Sequence, residues 1–316
     1  MKKSCFLAVA LVLISPALFG ASPGTWTALA PVPNRGIGVE GASVAAVGNK
    51  IIVALGYDSG DSDITRIYNI ASNTWSFGAP APGVSSEGAG ASHGGLFYTA
   101  GGRFIGARHD LWSYSPPSDT WTVLAPMLQG RAGFPLAVAG NALYAFGGRL
   151  NTGGPCSGAP IARVERYDID TDTWSPVAPM PRPLSDRAAA TIGGKIYVFG
   201  GCVDQFSIVN SVDVYDPVTD TWSTAPTDMP TARAAMYSVD SKGNAVYVIG
   251  GWDGIVPGLQ TNEAYHVAKD EWTVEVPMPT GRAEAGAAGH GGRIFVVGGA
   301  KPGFGASVAN NEAYKP

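Results

Sequence analysis

Acids and arginines recur in this 316-residue chain where chemistry can be built. Glu40, Glu87, Asp186 and Glu284 each stand just before or within a stretch of small residues. Arg131, Arg187, Arg233 and Arg282 lie beside them, with Arg35 ahead of the first. A second group follows pairs of glycines: Arg103, Arg149, Asp204, Trp252 with Asp253, and Lys301, with Tyr57 and Asp58 after a degenerate copy of the pair. Guanidinium forks suit carboxylates, and a Glu beside an Arg-bound anion can transfer a proton. The plainer reading stands next to this one: repeated acids and arginines pair with each other and carry structure. Arg103, Arg149 and Trp252 are present in only some of the repeats and are the stronger ligand candidates, with Asp253, Glu87, Asp186, Arg131 and Arg282 around them.

Other chemistries find no motif. His93 and His290 sit in matching His-Gly-Gly turns, where packing suffices as a role, and His109 and His266 are isolated. No HxH, no HExxH and no zinc-spaced Cys/His cluster occurs, nor a nucleophile elbow, a P-loop or a dinucleotide fingerprint. The sequence therefore implies no metal and no cofactor.

The elements that position these residues are announced by a repeat. Trp26, Trp75, Trp121, Trp174, Trp222 and Trp272 recur at spacings of 49, 46, 53, 48 and 50. Tyr68, Tyr114, Tyr167, Tyr215 and Tyr265 each precede a Trp by seven residues. Glycine pairs close apolar runs at 101–102, 147–148, 200–201, 250–251 and 298–299, with Leu55-Gly56 as the degenerate copy. Each unit reads as four strands. Around Arg187–Asp228 these are a small-residue strand, a Gly193-Gly194 hairpin, the apolar strand Lys195–Phe199, then Val212–Tyr215, a turn at Pro217–Asp220 and a Trp222 strand. Gly, Asp and Asn at the joints supply positive φ and local side-chain caps.

The Gly pairs, the Tyr and Trp seven apart, and the Met278-Pro279…Arg282 connection resemble the kelch repeat, from about Thr25 to Tyr314. The resemblance implies an all-β, six-bladed kelch β-propeller. The sixth unit lacks a Trp strand, so the expectation is that Gly24–Ala30 supplies it and closes the ring, leaving no long open edge. Trp112 and Trp252 fall outside the phase of the repeat. In kelch propellers the connection into the inner strand and the loop after the Gly pair share one face. One mouth is thus expected to carry the acids and arginines together. The copper oxidases that bear kelch repeats need Tyr, Cys and two His converging in seven blades, which this sequence does not offer.

Residues 1–23 read as a signal peptide: Lys2 and Lys3 precede an apolar run, Phe6–Ile14, too short to span a bilayer, and small residues follow. The propeller is expected to fill residues 24–316, outside the cytoplasm, secreted or periplasmic. No other stretch is long enough for a membrane span. Without the leader the formal charge falls from −4 to about −6, with no basic tract for nucleic acid. Cys156 and Cys202 are then the cysteines that remain, an even number in an oxidising compartment, and are expected to form a disulfide.

The leading functional reading is a binding module that holds a peptide or glycan at the mouth, with Arg103 and Arg149 favouring an anionic ligand. The alternative is an enzyme that resembles the periplasmic six-bladed kelch sialic-acid mutarotases, with a Glu and an Arg as working groups.

Overall fold

A computed structural model describes residues 24–33, 38–150, 153–204, 207–236, 240–242, 245–256, 258–301 and 306–316. The stretch read as a leader, and Arg35, lie outside the described residues. Six four-stranded antiparallel sheets are the blades of a propeller. The first blade is Ser43–Val47, Lys50–Ala54, Thr65–Asn69 and Thr74–Phe77, from the axis outward. The sixth is Gly286–His290, Arg293–Val297 and Asn311–Lys315, completed on the outside by Thr25–Ala28. Trp26 pairs with Tyr314 in this sheet, as the Trp seven residues after each Tyr does in the other five.

Small residues line the inner strands because these strands converge on the axis. A Cβ on Gly90 would lie 2.6 Å from the backbone of Val44 in the neighbouring blade. The core lies between blades. One cluster joins Val44, Ile51, Val53 and Tyr68 of the first blade to Ala288, Phe295, Val297 and Ala313 of the last, so closure is also an apolar seam.

Each outer hairpin is tied to the preceding blade. Tyr114 donates its hydroxyl to Oδ1 of Asp119 at 2.5 Å, and the same oxygen accepts the Ala79 amide at 2.7 Å. The Trp121 indole donates to the Ala79 carbonyl at 3.0 Å. Asp119 has a φ of 52°, and its short side chain tolerates that left-handed turn. Tyr–Trp rings lie about 5 Å apart in every blade, 5.1 Å for Trp26 and Tyr314.

Candidate functional site

At one end of the axis the six blades each contribute one residue to a closed ring of backbone hydrogen bonds. Glu87 donates to Gly41, Gly133 to Glu87, Asp186 to Gly133, Ala235 to Asp186, Glu284 to Ala235 and Gly41 to Glu284, all at 2.6–3.0 Å. All six have φ between 55° and 59°. Four of them are not glycine, so this left-handed backbone is held by its surroundings. Acids from blades two, four and six alternate with Gly41, Gly133 and Ala235.

A second ring lies just outside. Tyr57, Arg103, Arg149, Cys202, Trp252 and Ala300 bridge to Glu40, Ser86, Ala132, Ser185, Ala234 and Ala283, the residues just before each ring position. Arg149 fills the space over Gly133, where a Cβ would strike its guanidinium, and from there reaches Glu87 on one side and Asp186 on the other. Arg103 bonds the second oxygen of Glu87 at 2.8 Å. Asp186 also accepts the Ser185 hydroxyl at 2.7 Å and the Cys156 amide at 2.8 Å.

The arginines expected to wait for an anionic ligand are therefore engaged with protein carboxylates. Arg149 is wholly buried, and the Arg103 side chain is 27% exposed. Arg131 and Arg282, also read as ligand candidates, are fully buried inside their own blades. Arg131 pairs with Glu165 at 2.5 Å and Arg282 with Glu312 at 2.9 Å. Arg187 with Asp213 and Arg233 with Glu263 repeat the arrangement, which ties the incoming connection to the third strand. In blade two Trp112 occupies the acid's place, 4% exposed, with Arg108 over its ring at 5.5 Å. Blade one inverts the pair: Arg66 is on the third strand and meets Asp58.

The remaining candidates lie at the mouth. Trp252 is half-buried against the Cys156–Cys202 cluster. Asp253 accepts the amides of Ile255 and Val256, at 2.9 and 2.6 Å, and so shapes its own loop. Cys156 and Cys202 lie at disulfide distance, with Cα atoms 5.6 Å apart. With Asp186 they form the one trio of potential metal-ligating atoms within 4.8 Å among the described residues. Bonded sulfurs present no thiolate to a metal.

Burial pushes the Glu87 carboxyl up to about 7 despite Arg149 and Arg103. Burial and the neighbouring Glu87 and Glu40 push Glu284 well above the usual carboxylate range. Burial likewise raises Glu40, against a hydrogen bond from Ser307. The mouth is an acid-rich collar, and part of it holds protons near neutral pH.

Fold and collar together define a six-bladed propeller with one polar axial mouth. The chain matches the KLHDC2/KLHL20/DRC7 Kelch-repeats domain over residues 91–299; it belongs to the kelch-repeat family. It is 32% identical to Kelch-like protein 36 of Bos taurus over 250 residues, 75% of this chain and 39% of that protein. It is 31% identical to Kelch-like protein 23 of Homo sapiens over 257 residues, 79% of this chain and 44% of that one. The chain thus spans about two fifths of the length of these curated relatives. A solved structure, described as "Structure of YjhT", shares the fold with a TM-score of 0.75 at 16% identity, over 89% of this chain and 95% of that one. Among the described residues no helix is long and apolar enough to cross a membrane.

Proposed function

We propose that this chain is an extracytoplasmic binding module that seats a protein or peptide partner over the axial mouth. One observation carries the reading: exposed large apolar side chains collect on the loops after the Gly pairs. Tyr57, Phe104, Ile105, Leu150, Val203, Ile255 and Val256 come from five blades and encircle the collar, with Ile105 90% and Ile255 86% exposed. Exposed apolar groups gathered on one face mark an interaction surface, and a rigid scaffold commonly carries binding on such loops. Aliphatic groups outnumber aromatic ones here, which favours a protein over a glycan. The cysteine pair and residues 1–23 support a location outside the cytoplasm.

The test compares two triple variants in cross-linked adduct yield in producing cells. Phe104→Asp/Ile105→Asp/Ile255→Asp places charge on the rim. Phe77→Asp/Val123→Asp/Val274→Asp places it on outer strands. The rim variant should lose the adducts and the outer variant keep them; the opposite pattern refutes the reading. Export predicts a mature N-terminus between about residues 20 and 24 by mass spectrometry, since small residues mark the cleavage site.

An enzymatic role has one observation in its favour, the raised pKa of Glu284 and of Glu87, which bonds Arg149. It predicts catalysed mutarotation of a sugar acid, followed by NMR, that Glu284→Gln abolishes.

A further inference from the structure

The collar is not symmetric in charge. On the side of blades two to four, each acid has a cation: Arg103 and Arg149 hold Glu87, and Arg149 holds Asp186. On the side of blades five, six and one, the second ring supplies Trp252, Ala300 and Tyr57 in the places that Arg103 and Arg149 take elsewhere. Glu284 stands in the middle of this arc, 5% exposed, flanked by the ring positions Ala235 and Gly41, which carry a methyl group and no side chain. Burial and the charges of Glu87, Glu40 and Asp186 raise its pKa, against the charge of Arg149. Among the described residues it has no side-chain hydrogen bond and no ion pair.

We propose that this arc receives a lysine or arginine side chain of the protein partner, with Glu284 as its counter-ion and Tyr57 as an aromatic wall. The inference rests on the mouth reading above. A buried acid whose pKa is raised by neighbouring acids is complementary to a cation. Aromatic rings beside a carboxylate are what an ammonium or guanidinium group prefers when it leaves water. Ala300, with only a methyl group, stands at the position that Arg149 holds three blades away. The apolar rim residues Ile255, Val256 and Tyr57 would cover the stem of the incoming side chain.

Entry of the cation has a proton balance. With the arc empty, burial and the acids Glu87 and Glu40 raise the Glu284 pKa and so favour its protonated form. The incoming cation favours the carboxylate, so that proton passes to water as the pair forms. Binding should then strengthen as pH rises from about 5 to 8, where Lys and Arg stay charged. Arg103, Arg149 and exposed Lys301 oppose the cation, so raising the salt concentration should weaken binding only mildly.

The experiment uses the full mature chain and mixtures of hexapeptides with a fixed central Lys, Arg, norleucine or Glu, read by fluorescence anisotropy at pH 6 and pH 8. Lys- and Arg-centred mixtures should bind about ten-fold or more tighter than the others, with a larger gap at pH 8. Glu284→Gln should remove that preference while the protein still melts cooperatively. Peptide binding that ignores the central charge, or a preference that survives Glu284→Gln, overturns the cation site and leaves the mouth reading standing. A parallel titration with n-butylammonium, read by the NMR shift of the Glu284 side chain, separates the other failure. A shift with n-butylammonium and no peptide binding keeps the cation pocket and removes the protein-binding reading. No shift and no peptide preference overturns the pocket.

Discussion

Tyr314 donates its hydroxyl to Oε2 of Glu275 at 2.7 Å, whereas the five other repeat tyrosines donate to an Asp or Asn of their own outer hairpin. The sixth blade has no such hairpin, because its outer strand arrives from the other end of the chain. An acid on the exit of blade five takes over, and the indole of Trp26 donates to the adjacent Val276 carbonyl at 2.9 Å. Closure therefore keeps the bonds of the repeat while changing which segment supplies them.

Deleting residues 24–33 should lower the melting temperature markedly, since it exposes the Asn311–Lys315 strand and the Tyr314 ring. Trp26→Ala alone is a milder version. Trp26 is half-buried, so its loss should be roughly half of the about 3–5 kcal/mol typical of a core Trp. Thermal unfolding checks both, and wild-type melting of the deletion would contradict closure.

Arg149→Met keeps much of the volume but leaves Glu87 and Asp186 buried without their guanidinium. Breaking one side of such a pair costs about 3–5 kcal/mol. Urea unfolding should show the loss, larger at pH 8 than at pH 5, where Glu87 takes up a proton. Arg103→Met, at a partly exposed pair, should cost about 1 kcal/mol or less.

Glu284 and Glu87 make stability fall as pH rises. Their folded pKa values lie above the 4.5 of an ordinary Glu, so the folded chain holds protons that the unfolded chain has released. Stability is then fully present below about 4.5 and is lost as pH passes through about 7 and beyond. Urea melts between pH 5 and 8 should show Glu284→Gln matching wild type at the acid end and exceeding it at the alkaline end. Parallel curves would remove Glu284 from this role.

The cysteine pair encloses a loop with a sequence separation of 46, which in the chain-entropy model is worth roughly 4 kcal/mol. A Cys156→Ala/Cys202→Ala variant should be destabilised by up to that amount. Both sulfurs are buried, so alkylation of the native protein should require prior unfolding together with reductant.

The repeat was legible because Trp, Tyr and Gly mark the same bonds in each blade. The pairing of Cys156 with Cys202 was legible because both follow Gly pairs in adjacent blades. The collar was harder to read. Its left-handed residues are Gly41, Glu87, Gly133, Asp186, Ala235 and Glu284, and only the two glycines betray the backbone. Aligning those glycines with the acids by repeat phase would have exposed the ring. The destination of Arg149 depends on Gly133 lacking a side chain, a three-dimensional fact that its own neighbours in sequence do not carry. Arg131 and Arg282 were read toward the mouth, but their acids, Glu165 and Glu312, lie on third strands 34 and 30 residues away.

Which face meets the partner is decided most directly by a photo-reactive amino acid placed singly at Ile105, Ile255, Val218 and Val274, all at least 80% exposed. Cross-linking in producing cells should give a discrete protein adduct from Ile105 and Ile255 on the Gly-pair loops. Val218, on the far hairpin turn, and Val274, on an outer strand, should give none. Adducts from Val218 or Val274 with none from the rim would contradict a binding face at the axial mouth.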